Sequence, residues 1–164
     1  MSLVITAEAE ALIGVESDAI VTEVEKHDLQ NFATAIAWPN KPNPLYFDEP
    51  TGKASRYGSI IAPPSFGTRL GFIGGVYEKV KKALPQSRVG LNGGLEYIRK
   101  APIRPGDILT GRGKLASLKE SAREGGGAML LVTFEGNFQN QTGEDVLTSR
   151  MTLIWMYGKE DLEA

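Results

Sequence analysis

Pro64-Ser65-Phe66-Gly67-Thr68-Arg69-Leu70-Gly71-Phe72-Ile73-Gly74-Gly75-Val76-Tyr77-Glu78-Lys79-Val80-Lys81-Lys82-Ala83-Leu84 is the stretch that sets the architecture. Phe66, Leu70, Ile73, Tyr77, Val80 and Leu84 recur at alternating steps of four and three, the period of one helical face. The spacing predicts a long helix over 64–84, with Pro64 at its first position, where a missing N–H costs nothing. Gly67, Gly71 and Gly74 form a neighbouring stripe without side chains. Each helical glycine costs roughly 1 kcal/mol against alanine, so close approach of another backbone must offset the loss. A sheet wrapped around a buried helix supplies that approach. Lys79, Lys81 and Lys82 suit the C-terminal end of the dipole and solvent.

Downstream the period changes from 3.6 to 2. Val132, Phe134 and Phe138 alternate with Thr133, Glu135 and Asn137; Leu147, Met151, Leu153 and Trp155 alternate with Thr148, Arg150 and Thr152. Four long strands are predicted over 88–98, 107–119, 127–139 and 144–157, separated by Pro105-Gly106, Gly125-Gly126-Gly127 and Asn140-to-Gly143 turn chemistry. Short connections predict an antiparallel meander. Upstream, six prolines between 39 and 64 mark a loop, which Leu45-Tyr46-Phe47, Tyr57 and Ile60-Ile61 anchor as an ordered wall of a site. Before it, Leu29, Phe32, Ala33 and Ile36 mark an amphipathic helix that starts near Lys26 and ends at Trp38-Pro39. Residues 1–14 form an Ala/Glu-rich arm. The whole reads as one α+β domain over 1–164, a long central helix wrapped by a curved antiparallel sheet.

Composition bounds the function. Of 164 residues, 41% are hydrophobic and 23% charged, ordinary globular values. Lys+Arg 18 against Asp+Glu 20 leaves a net charge of −2, with no basic excess for a phosphate backbone, so nucleic acid is not an expected partner. The absence of cysteine excludes disulfides and thiolate catalysis, and the single histidine, His27, argues against His-rich metal sites and a Ser-His-Asp triad. No cofactor is expected. No apolar run approaches the ~20 residues of a membrane span, and the acidic N-terminus carries no secretory pattern, so a cytoplasmic protein is expected.

The loop motifs carry a family resemblance. Asn43-Pro44-Leu45-Tyr46-Phe47-Asp48, then Ser55-Arg56-Tyr57-Gly58 and Ile61-Ala62-Pro63-Pro64, resemble the N-terminal MaoC-like dehydratase family, which has the hot-dog fold. Asn92-Gly93-Gly94-Leu95-Glu96-Tyr97 and Pro102-Ile103-Arg104-Pro105-Gly106-Asp107 are similar to that family's strand and turn after the core helix. The resemblance covers about residues 15–157 and implies an R-specific hydratase or dehydratase of acyl thioesters, either acyl-CoA or acyl-carrier protein. Active members bear D-x-N-P-x-H, whose carboxylate and imidazole hold a water and move its protons. Here Asn43-Pro44-Leu45 is kept, Tyr46 stands at the His position and Lys41 at the Asp position. A phenol, with an ordinary pKa near ~10, is a poor general base at neutral pH, and an ammonium does not replace a carboxylate.

The resemblance also implies where substrate sits. The family holds the thioester carbonyl on a backbone N–H at the start of the core helix, a positive dipole end. The corresponding N–H groups are those of Ser65, Phe66 and Gly67, Pro64 having none. The substrate-binding set expected is Asn43, Tyr46, Ser65, Phe66, Gly67, Asn92 and Gly93, with Arg56, Arg69 or Lys100 on the phosphates of the carrier. Substitutes for the missing dyad are Tyr46, Asp48 and Glu96. Each has a plainer reading beside it: Asn43 before proline caps a turn, Tyr46 packs its ring, Asp48-Glu49 is a solvated pair, and His27 decorates a helix start. Gly93-Gly94 either opens a tunnel or marks a bulge. Three functions follow: a thioester-binding subunit without the dyad, paired with a catalytic hot-dog chain; a homodimeric hydratase or thioesterase using other groups; or a non-catalytic acyl-CoA sensor or structural partner. A homo- or heterodimer is expected in each, because one sheet around one helix leaves edge strands to pair.

Overall fold

Alternation along the second half becomes a sheet with one buried face. In the computed structural model, which describes residues 4–70, 75–87, 89–124 and 126–161, the long strands are β2 (Val89–Arg99), β3 (Ile108–Ala122), β4 (Ala128–Gln139) and β5 (Asp145–Tyr157). A short β1 (Ile20–Glu23) precedes them, and all pairings are antiparallel in the order β1-β3-β4-β5-β2. Along β4, Leu130, Val132, Phe134 and Phe138 are buried while Met129, Leu131, Thr133 and Glu135 alternate towards the other face.

A simple meander was the expectation, and only β3-β4-β5 forms one. β2 crosses to the far edge and pairs with β5, Val89 opposite Met156 through Arg99 opposite Leu147. The link from β2 to β3 is too tied down to turn as a hairpin. Ala62 N–H donates to the Ile103 carbonyl at 2.8 Å, Gly106 N–H to Val24 at 2.8 Å, and Arg104 N–H to the Asp107 carboxylate at 2.7 Å. The connection therefore runs past the loop wall and β1 before it enters β3.

The long helix is also corrected. Phe66–Arg69 is a single 3-10 turn and Val76–Ala83 is α-helix; residues 71–74, with Ile73 and two glycines of the predicted stripe, lie outside the described residues. Gly75 precedes the second segment at φ +76°, a left-handed conformation that cannot continue an α-helix. The apolar stripe nonetheless packs as read: Phe66, Leu70, Val80 and Leu84 are buried. The remaining helices are α1 (Ala7–Ala11), α2 (Lys26–Ala37), α3 (Pro44–Phe47) and α4 (Glu49–Ala54), so Val76–Ala83 is α5. Two core clusters result. Val4 and Ala9 of the N-terminal arm join α5 with Leu130, Val132, Phe134, Trp155 and Tyr157; Leu29 of α2 joins Phe66, Leu70, Leu109, Phe138 and Leu147. No helix among the described residues is long and apolar enough to cross a membrane.

Tyr157 makes the first core testable. It is fully buried, its hydroxyl donates to the Pro85 carbonyl at 3.1 Å, and burial, followed by the Glu120 and Asp161 carboxylates, pushes its phenol up to about 12. A folded value above the unfolded ~10 means that Tyr157's contribution is whole below pH ~10 and is lost as pH rises through the folded value. Between those limits Tyr157 should ionise only with unfolding, so tyrosinate absorbance and loss of circular dichroism should rise together. Tyr157→Phe should make the alkaline limb of stability shallower; an unchanged limb would take Tyr157 out of the transition.

Candidate functional site

The proline-rich loop is ordered by caps. Asn43 Oδ1 accepts from Leu45 N–H at 3.0 Å, and Pro44 occupies the first turn of α3. Asp48 closes α3 and caps α4, its carboxylate accepting from Thr51 N–H at 2.9 Å and Thr51 Oγ1 at 2.5 Å. The bonds from the Thr51 hydroxyl and then its backbone hold the Asp48 carboxyl below the usual carboxylate range. Tyr46 is half-buried, and its N–H donates to the Asn43 carbonyl at 3.0 Å.

Two bonds fasten this segment to its neighbours. Ile61 N–H donates to the Leu45 carbonyl at 3.2 Å, and Gln30 Nε2 donates to the Phe47 carbonyl at 2.8 Å. Residues 61–64 then form one wall of a cleft of about 340 Å³; residues 99–103 form the other, and Phe66, Gly67 and Leu147 line its interior. Arg56 and Tyr57 stand beside the opening wall.

Of the three candidate carbonyl donors, Phe66 N–H is occupied by the Pro63 carbonyl at 3.0 Å. The N–H groups of Ser65 and Gly67 donate to no acceptor among the described residues. Gly67 has no room for a side chain: a Cβ there would lie 2.6 Å from Tyr97 Cε1 and 2.9 Å from Leu147 Cδ2. Its bareness thus seats the Tyr97 ring. Partial burial raises the Tyr97 phenol above its ordinary value.

Other expected site residues are placed elsewhere. The β2 register shifts between Asn92 and Gly94, so Gly93 is the extra residue of a bulge; Asn92 Oδ1 accepts from Gly94 N–H at 3.0 Å. A Cβ at Gly93 would meet Ile154 Cγ1 at 2.9 Å, whereas one at Gly94 would meet nothing within 4 Å. Neither residue lines the cleft. Glu96 is exposed and lies 3.5 Å from Arg150, on the face of β2 opposite to Tyr97. His27 contacts Glu25 at 3.0 Å and Asp28 at 3.6 Å at the start of α2. The cations divide similarly. Arg69 pairs with Asp28 at 3.6 Å, away from the cleft, whereas Arg56 and Lys100 line it with Arg99. Arg99 was missed in the sequence because only its strand pairing, opposite Leu147, turns it to the helix side with Tyr97.

A five-stranded antiparallel sheet packed on helices, with a capped loop forming one wall of a cleft, is the hot-dog fold, which this chain shares with MaoC-like dehydratases of known structure. The chain belongs to the family described as FAS1-like, dehydratase domain region, whose sequence model matches residues 11–149. It is 34% identical over 134 residues to a UPF0336 protein of Thermobifida fusca, covering 80% of this chain and 82% of that one. A UPF0336 protein of Streptomyces avermitilis is 31% identical over 134 residues, with 80% and 83% covered. Among solved structures, the HadBC (3R-hydroxyacyl-ACP dehydratase) complex of Mycobacterium tuberculosis aligns with TM-score 0.65 at 20% identity, over 87% of this chain and 96% of that chain. The MaoC-like dehydratase of Rhodospirillum rubrum aligns with TM-score 0.61 at 20% identity, over 88% and 92%. The ChsH1-ChsH2 complex of M. tuberculosis aligns with TM-score 0.58 at 17% identity, over 87% and 97%.

Proposed function

We propose that this chain is the thioester-binding, dyad-lacking member of a two-chain hydratase/dehydratase acting on acyl-CoA or carrier-bound acyl thioesters. One observation carries the reading. The Asn43–Asp48 frame is intact and bonded to the cleft wall through Leu45 and Ile61, yet Lys41 and Tyr46 occupy the positions of the acid-base pair. Asp48, two residues after Tyr46, is taken up by capping α4. Without a base, binding remains: the N–H groups of Ser65 and Gly67 are available to a thioester carbonyl, and the cleft that Gly67 lines has Ile61, Phe66 and Leu147 as apolar contacts beside its cationic residues.

The partner is supported by the edge of the sheet. β2 presents an 11-residue unpaired edge with Val89, Leu91, Leu95 and Ile98 exposed, a surface that invites another strand. The HadBC and ChsH1-ChsH2 relatives are complexes by name, which fits a partner of the same fold. In the assembly, water would add across the C2=C3 bond of a 2-enoyl thioester, hydroxyl to C3 and proton to C2, with the proton transfers made by the partner's groups.

The test is hydration of a panel of 2-enoyl-CoA esters by the purified chain, followed by loss of enoyl absorbance. The expected result is no turnover alone, an acyl-CoA-dependent rise in melting temperature, and turnover on adding a hot-dog chain that bears D-x-N-P-x-H. Robust turnover by the chain alone would overturn the subunit reading.

A further inference from the structure

We propose that the outer face of the sheet docks on the same face of a second copy of this chain, related by a two-fold axis that runs along the strands between β4 and β5. The inference goes beyond the thioester reading and does not rest on it.

Register places the residues. Both core clusters, with side chains from α1, α2 and α5, lie on one side of the sheet. Side chains alternate along a strand, so the other side carries Met129, Leu131, Thr133 and Glu135 of β4. Opposite them on β5 stand Met156, Ile154, Thr152 and Arg150. The edge strand β2 sets Val89 beside Met156, Leu91 beside Ile154 and, past the Gly93 bulge, Glu96 beside Arg150. On the other flank β3 sets Lys119 beside Leu131 and Lys114 beside Glu135.

Three zones follow along the strands. The first is apolar, with Met129, Met156 and Val89 in one row and Leu131, Ile154 and Leu91 in the next. None of these belongs to either core cluster; Val89 and Leu91 are exposed, and the other four are half-buried. A contiguous apolar block of this kind on a sheet face marks an interaction surface. The second zone is flat, built from Ser117, Thr133, Thr152 and Gly94. The third is a row of charges that crosses four strands: Lys114 to Glu135 at 3.1 Å, Glu135 to Arg150 at 2.9 Å, and Arg150 to Glu96 at 3.5 Å. The bond from Arg150 holds the Glu135 carboxyl below the usual carboxylate range, so the row keeps its charges at neutral pH.

Charge decides the occupant. Read from β3 to β2, the row runs plus, minus, plus, minus. A two-fold axis along the strands reverses that order in the facing copy, laying β3 over β2 and β4 over β5. Each sign then meets its opposite: Lys114 faces the second copy's Glu96, and Glu135 faces the second copy's Arg150. The same rotation sets Met129 over Met156 and Leu131 over Ile154. Lys119 falls over Leu91 at the rim, where its stem packs and its ammonium reaches water. A patch that is its own complement under rotation is what an isologous contact requires. A row of one sign would instead repel its own copy and select a different protein. Sheets pack face to face with their strands roughly aligned, and the small residues of the second zone offer no obstacle. The backbone edge of β2 stays free for the strand pairing proposed above.

Sedimentation equilibrium of the full chain, of Leu131→Lys, of Ile154→Glu and of the two variants mixed tests the contact. The wild type is expected to self-associate. Each single variant should raise the dissociation constant at least about a hundredfold, because a charge buried against an apolar partner is left unpaired. Mixing the variants should restore association, since the introduced ammonium then faces the introduced carboxylate while the remaining Ile154 and Leu131 still meet. Two misfolded chains would not complement each other in this way. The chain contains no cysteine, so Leu131→Cys and Ile154→Cys, mixed and treated with a short bismaleimide, should give a cross-linked pair holding one of each. A wild type that stays monomeric would leave the face to a different protein and overturn the proposal. Single variants that associate like the wild type, or cysteine variants that do not cross-link, would overturn it by moving the contact to another surface, the β2 edge included. The thioester reading stands or falls on its own hydration and binding test, whichever of these results is found.

Discussion

Gly52→Ala is expected to destabilise the protein by about 3 kcal/mol, the upper part of the range for overpacking a filled site. The sign is informative, because helix propensity alone predicts the opposite. Gly52 lies inside α4, and exchanging an interior helical glycine for alanine ordinarily gains about 1 kcal/mol. Here the added Cβ would run into Ile60 N and would lie 2.6 Å from the Ser59 carbonyl carbon and 2.8 Å from Ile60 Cα. These are backbone atoms, so no rotamer change relieves the contact, and α4 must lift away from the chain entering Ile60-Ile61. Ile61 is the residue bonded to Leu45 and lines the cleft. Loss of stability should therefore come with loss of acyl-CoA binding. The urea midpoint checks the first and calorimetry the second. A variant as stable as the wild type, or more so, would show that propensity outweighs the contact.

Long periodic segments were readable because each residue repeats its neighbour's message. The strands predicted over 107–119, 127–139 and 144–157 are found at Ile108–Ala122, Ala128–Gln139 and Asp145–Tyr157. The amphipathic helix begins at Lys26, as Leu29 to Ile36 implied. Connectivity was less legible. Nothing in the pattern of β2 states that it pairs with β5, since that depends on where Ile103 and Gly106 are tied. The glycine-bearing segment misled for a related reason: an apolar period survives a break at Gly75, because buried side chains report the face and not the continuity of the backbone. The two short helices of the loop escaped periodicity, having one or two turns each, although Asn43-Pro44 and Asp48-x-x-Thr51 are capping signals.

At the site, the linked loop motifs proved the informative part. Ile61-Ala62-Pro63-Pro64 and the Ile103 segment share one cleft, so residues quoted together from the sequence lie together in space. Polar residues judged singly fared worse. Asn92 caps a bulge, Glu96 meets Arg150 on the opposite face, and Lys100 is paired with Asp145. Each residue's chemistry is evident from its type, but its partner is set by strand register. Arg99 shows the converse: an ordinary arginine in sequence becomes a cleft residue through its place opposite Leu147.

Restoring the missing pair should produce the largest change in rate. Lys41→Asp with Tyr46→His rebuilds D-x-N-P-x-H on a frame that is already in place, and this double variant is expected to hydrate 2-enoyl-CoA about 10²-fold or more above the wild-type chain, the lower end of what positioned acid-base groups contribute. The local backbone favours the exchange. Residue 46 sits in the turn that Asn43 caps and whose Leu45 carbonyl is bonded to the cleft wall, so an imidazole there inherits a fixed position rather than a mobile loop. Lys41 is exposed, and a carboxylate in its place displaces no packed group. Tyr46→Phe supplies the complementary measurement. In the two-chain assembly it should leave kcat within about twofold of wild type, because a phenol that transfers no proton removes none of the 10²–10⁴-fold acid-base contribution when its hydroxyl is deleted. A hundredfold fall on Tyr46→Phe would instead place the phenol in the proton path and make this chain the catalytic one. Melting temperatures of all variants guard against reading a folding defect as lost chemistry, and the rise in rate with the restored pair cannot arise from misfolding.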